Sequence, residues 1–126
     1  MLKLFFIIGL GGAIGSYLRY LTALLFAKYF MAAFPYATLT VNVVGCFIIG
    51  LVYTLSERFH FLSADWRLFL ITGFCGGLTT FSTFAYENIK LIQEGNTMLF
   101  LMYSFGSFGL GLLAVLAGIN MFKLFN

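Results

Sequence analysis

Charge is what this sequence has least of. Seven Lys or Arg and four Asp or Glu in 126 residues make only 9% charged positions. A water-soluble domain of this length has a large surface to cover with polar and charged groups, and those groups are missing. The seven basic side chains are scattered along the chain, so the net charge of +3 forms no nucleic-acid patch. There is one histidine, His60, with no ligand spacing around it, and it gives no support for a metal centre. The two cysteines, Cys46 and Cys75, fall in apolar segments without CxxC spacing and read as small buried hydrophobes. No constellation of groups suggests an enzyme. The single proline, Pro35, leaves long stretches free to be helical.

What remains is apolar. The chain is 62% hydrophobic with a mean hydropathy of +1.03. It is expected to be an all-α integral membrane protein, a single membrane domain over 1–126 with spans at about 4–27, 36–56, 68–90 and 97–122. The apolar run after Lys3 continues through Gly-rich sequence without a convincing cleavage signal, so it reads as the first span rather than a signal peptide.

Each span carries a few residues that plain lipid contact does not explain. In the first, Gly11 and Gly15 form a small-xxx-small face suited to close packing. Arg19, well inside that span, must snorkel, pair or face an aqueous vestibule. In the second, Asn42 needs partners for its amide, either across a helix contact, on a pore, or on a broken neighbouring helix. Thr38 lies four residues earlier on the same face. Gly45 and Gly50 read as packing positions. Glu87 lies near the end of the third span and could pair with Arg19 or Lys90. In the fourth, Tyr103 and Ser107 are four apart, with Gly111 and Gly118 continuing that side as a seam, a polar strip, or both.

The most informative stretch is Gly73-Phe-Cys-Gly-Gly-Leu-Thr-Thr-Phe-Ser-Thr-Phe84. It sits in an uncharged run, Leu68 to Tyr86, whose length at about 1.5 Å per residue approaches a hydrocarbon thickness of about 30 Å. Two glycines beside two threonines at its middle serve no purpose in a helix that only spans. A break near the membrane centre is expected there, and any backbone groups it releases need protein, water or an ion.

With four spans, both termini and the middle connection lie on one side. Lys3, Arg58, Arg67 and Lys123 fall there; Lys28 and Lys90 fall on the other, with Arg19 toward them. That bias is weak. It leaves insertion in both orientations open. Four short helices cannot enclose much, so an oligomer in membrane lipid is expected, and dual insertion would permit an antiparallel homodimer.

Three pieces together resemble the small bacterial fluoride channels of the CrcB/Fluc family: Gly11-Gly-Ala-Ile-Gly-Ser-Tyr-Leu-Arg-Tyr20, Thr38-Leu-Thr-Val-Asn-Val-Val-Gly45 and the stretch from Gly73 to Phe84. The resemblance covers all four spans. It implies an antiparallel dual-topology dimer in a bacterial inner membrane, with two pores and a structural sodium ion (Na+) at its centre. Backbone carbonyls of Gly76 and Thr79 from each copy would hold that ion. Phe81 and Phe84 match the pore phenylalanines, Asn42 the pore asparagine, and Tyr103 and Ser107 a polar track. Ser82 and Thr83 add hydroxyls, Arg19 matches a vestibule arginine, and Glu87 an acidic position without a firm role. The chain departs from some members at Gly111, where they carry a serine.

The resemblance implies passive, fluoride-selective conduction that exports cytoplasmic fluoride. A proton-coupled small multidrug antiporter is the nearest different class. It requires an acid deep in the first span, where this chain has Arg19 and no Asp or Glu. A non-transporting membrane scaffold would explain the glycine faces but not Asn42 beside the third-span motif.

Overall fold

A computed structural model describes residues 1–124. Among them are four helical stretches long and apolar enough to cross a membrane: Leu2–Tyr29, Tyr36–Glu57, Ala64–Gln93 and Thr97–Leu124. The first two are continuous helices, α1 (Leu2–Tyr29) and α2 (Tyr36–Glu57). The third is composite. A capped turn, α3 (Ala64–Arg67), leads into a π-helical segment, Leu68–Cys75, and then the short α4 (Gly76–Leu78). Thr79 and Thr80 follow in extended conformation, and helix resumes as α5 (Phe81–Gln93). The fourth is α6 (Thr97–Asn120), which tightens into a 3₁₀ turn over Met121–Leu124.

Local chemistry fixes the ends. Ser63 accepts the Trp66 N–H at 3.3 Å and starts α3. Gly95, at φ +80°, ends α5: its N–H goes back to Ile92, and that of Asn96 to Leu91 at 2.8 Å. This left-handed closure is one glycine adopts without a Cβ penalty. The turn thus falls at Glu94-Gly-Asn96, where the sequence places it.

The outer surface is unlike that of a soluble protein. Large apolar residues such as Phe5, Phe6, Tyr17, Phe105, Phe108 and Leu113 are exposed, whereas Thr38, Thr54, Thr80 and Asn88 are buried. Lipid solvates the outside, so close packing rather than hydrophobicity must hold the helices together. The glycines supply that packing. A methyl added at Gly11 would meet the Phe69 carbonyl, one at Gly15 the Phe74 carbonyl, and one at Gly77 the Gly12 carbonyl. Hence α1 lies with its backbone directly against the π-segment and α4. Gly50 and Gly118 do the same for α2 against α6, meeting the carbonyls of Val115 and Phe47.

Candidate functional site

The site forms where the third helical stretch is interrupted. In an uninterrupted helix the Thr80 N–H would bond the Gly76 carbonyl, and the Thr83 N–H the Thr79 carbonyl. Neither does so here. The Thr80 N–H donates to Asn42 Oδ1 at 2.8 Å, and the Thr83 N–H to Thr80 Oγ1 at 3.1 Å. The second bond is an N-cap on α5. The Asn42 amide also donates from Nδ2 to the Thr80 carbonyl at 3.1 Å. Both ends of one side chain on α2 therefore hold the N–H and C=O of a single residue, as a neighbouring strand would. Gly45, one turn later, permits this approach: a methyl there would run into the Thr79 methyl group.

The interruption leaves backbone groups of opposite polarity side by side. Gly76 and Thr79 carry carbonyls deprived of their helical partners, at the negative end of one helical segment. Phe81 and Ser82 present the first N–H groups of α5, at its positive end. Gly76 is exposed and Thr79 half-buried, so these groups are reachable from the open side of the chain.

Two cavities flank the Asn42–Thr80 clamp. One, about 530 Å³, is lined by Asn42, Cys46, Ile49, Thr79, Thr80, Phe81, Phe84, Ser104, Ser107 and Phe108. The Ser107 Oγ is buried and has no hydrogen-bond partner among the described residues. The Phe81 and Phe84 ring centroids lie 5.8 Å apart, with Phe81 80% exposed at the mouth. The other cavity, about 270 Å³, brings Arg19 together with Ser16, Thr38, Thr80 and Thr83 between α1, α2 and α5. Thr80 lines both.

The remaining residues singled out in the sequence stand apart. Tyr103 is fully buried and lines neither cavity. Its hydroxyl donates to Glu87 Oε1 at 3.2 Å, and its ring meets the Phe84 ring edge-on at 4.9 Å. Glu87 takes that bond rather than a pairing with Arg19 or Lys90, and the Lys90 ammonium lies 3.9 Å from Glu94. Ser82 is exposed, with its hydroxyl 3.3 Å from Thr80 Oγ1. Gly111 faces Cys46: a methyl there would sit 3.5 Å from the sulfur.

Thr80 and Asn88 escaped the sequence reading. Asn88 is buried, accepts from the Ser104 hydroxyl at 3.0 Å and donates to the Phe84 carbonyl at 3.0 Å. A legible signal existed for Thr80, a hydroxyl at the position just before an apolar helix.

Over residues 6–119 the chain matches the family model described as CrcB-like protein, Camphor Resistance (CrcB). It belongs to the CrcB family. Among its CrcB relatives, a protein of Flavobacterium psychrophilum named fluoride-specific ion channel FluC is 45% identical over 122 residues, 97% of this chain and 98% of that one. Proteins of the same name from Leptospira interrogans and Bacteroides fragilis are 43% and 48% identical, covering 98% and 86% of this chain and 97% and 87% of theirs.

Proposed function

We propose that this chain is a passive, fluoride-selective channel that releases cytoplasmic fluoride across a bacterial inner membrane and so lowers fluoride toxicity. The observation that carries the reading is the interruption at Thr79–Thr80, in a chain whose relatives are named fluoride-specific channels. Fluoride is small and strongly hydrated, so a selective path must replace part of its water shell with fixed donors. Suitable donors lie on both sides of the Asn42–Thr80 clamp. Asn42 retains an amide hydrogen beyond the one given to Thr80, Ser107 has an unused hydroxyl, and the Thr83 hydroxyl lies across the clamp. The positive ring edges of Phe81 and Phe84 can offset the rest of the dehydration cost, and a narrow passage beside the rings would exclude the larger chloride. Arg19 would draw anions into the smaller cavity.

The working unit in this reading is an antiparallel, dual-topology homodimer with two pores and the interruption near the membrane centre. Support comes from the open mouth: Phe81 and the Gly76 backbone are uncovered in a single chain. A structural sodium ion fits the released carbonyls. Gly76 and Thr79 offer oxygen ligands only, as a hard cation prefers, and two copies double the donor set. Among the described residues no cluster of His, Cys, Asp or Glu competes for a metal. When bound, the ion supplies fixed positive charge near the anion path.

Fluoride and chloride efflux from liposomes holding the purified protein tests this reading. Rapid fluoride loss with chloride retained is the expected result, and Phe81→Ile should cut the fluoride rate at least tenfold while assembly is unchanged. Equal loss of both halides, or proton-driven uptake of a cationic drug, would sink it.

A further inference from the structure

We propose that Asn42 is a positioning residue for the cation site, setting its affinity by taking the Thr80 N–H away from the Gly76 carbonyl. The inference rests on the sodium reading above and gives Asn42 a role distinct from the anion donor it supplies in the channel reading.

A carbonyl that accepts a helical N–H keeps one lone pair committed and is turned along the helix axis, which makes it a poor cation ligand. The Gly76 carbonyl escapes that commitment only because the Thr80 N–H has another acceptor, Asn42 Oδ1 at 2.8 Å. Without an alternative acceptor, the buried Thr80 N–H would be left unsatisfied and would bear its full desolvation penalty. Returning to Gly76 and rewinding the helix would avoid that cost. The Nδ2 bond to the Thr80 carbonyl, at 3.1 Å, steadies the arrangement from the other side. The Thr79 carbonyl is kept free by a separate device, the Thr80 hydroxyl that caps Thr83. The two proposed ligands of one ion are therefore released by two side chains, and Asn42 controls one of them from a different helix. Because Asn42 also lines the phenylalanine cavity, it joins the two ion sites through a single amide group.

The two ends of that amide can be separated. Asn42→Ala removes both bonds. Asn42→Asp keeps an oxygen to accept the Thr80 N–H, loses the donor to the Thr80 carbonyl, and brings a negative charge that favours a cation and repels an anion. The measurement is the sodium midpoint for thermal stabilisation of the full-length purified protein, titrated with sodium chloride against N-methylglucamine chloride at constant ionic strength. Fluoride efflux is recorded separately.

Asn42→Ala is expected to raise the sodium midpoint at least tenfold. Asn42→Asp should hold it within threefold of wild type or lower it, although its fluoride efflux falls at least tenfold. That opposite response of the two ion sites is one that a merely structural asparagine would not give. If Asn42→Ala does not assemble, Asn42→Ser, too short to reach both groups, takes its place with the same expectation. An unchanged midpoint in the Ala or Ser variant, or an equal rise in Asp, overturns the positioning role alone. A wild-type protein with no sodium response removes the cation reading and this inference with it, while the halide measurement still judges the channel.

Discussion

The Ser104 hydroxyl on α6 donates to Asn88 Oδ1 on α5 at 3.0 Å, one turn beyond the contact between Phe84 and Tyr103. Asn88 passes the connection on, since its amide donates to the Phe84 carbonyl at 3.0 Å. The backbone that carries the Phe84 ring is thereby tied to α6. Removing either partner leaves a polar group without its mate in an apolar setting. Asn88→Ala and Ser104→Ala are each expected to destabilise the protein by about 1–2 kcal/mol. A double-mutant cycle, read by denaturant unfolding in detergent, should give a coupling of about 0.5–1 kcal/mol, in the range typical of membrane-buried pairs.

The glycine seam makes a sharper contrast. At Gly15 and Gly77 an added methyl meets the carbonyls of Phe74 and Gly12, which cannot swing aside as a side chain could. At Gly9 nothing lies within 4 Å. Gly15→Ala and Gly77→Ala should therefore lower the melting temperature by several degrees or prevent assembly. Gly9→Ala should match wild type or exceed it slightly, because alanine is the better helix former.

Tyr103→Phe keeps the ring against Phe84 and deletes only the hydroxyl that serves Glu87. A stability loss of about 1 kcal/mol is expected. Because Tyr103 stands outside both cavities, fluoride efflux should fall far less than in Phe81→Ile. An equally large loss would place the hydroxyl on the ion path.

Gly111→Ser tests the one departure in the fourth helix. The new Cβ would rest 3.5 Å from the Cys46 sulfur, an ordinary contact. The hydroxyl would stand one turn beyond Ser107. The melting temperature should stay within a few degrees of wild type, and the fluoride rate should equal or exceed it.

Much of this was legible in the sequence because hydropathy and glycine spacing are local signals. The second and fourth helices lie where their apolar runs lie, and Gly11, Gly15 and Gly50 pack as small faces should. The π-helical winding of Leu68–Cys75 was not legible. Its residues are equally suited to an α-helix, and a winding of this kind can only be decided by what packs against it. Thr80 was hard to single out because Thr79, Thr80, Ser82 and Thr83 offer four similar hydroxyls, and only the fold shows which one caps α5. Asn88 was obscured by its charged neighbour, Glu87. Tyr103 and Ser107 share a helix face by spacing, yet the tyrosine's length carries its hydroxyl back to Glu87 while the short serine stays at the larger cavity.

A seam made of bare backbone also acts as a ruler. Side chains can lean to absorb a mismatch of an ångström or two, but glycine against carbonyl has nothing that leans. The contacts of Gly11 and Gly15 with Phe69 and Phe74 therefore fix the height of α1 against the segment leading to Thr79. Arg19 is one turn above Gly15 and faces the cavity beside Thr80 and Thr83. One residue inserted between Gly15 and Arg19 would swing the guanidinium by about 100° around the helix, leaving the seam intact and the cavity without its charge.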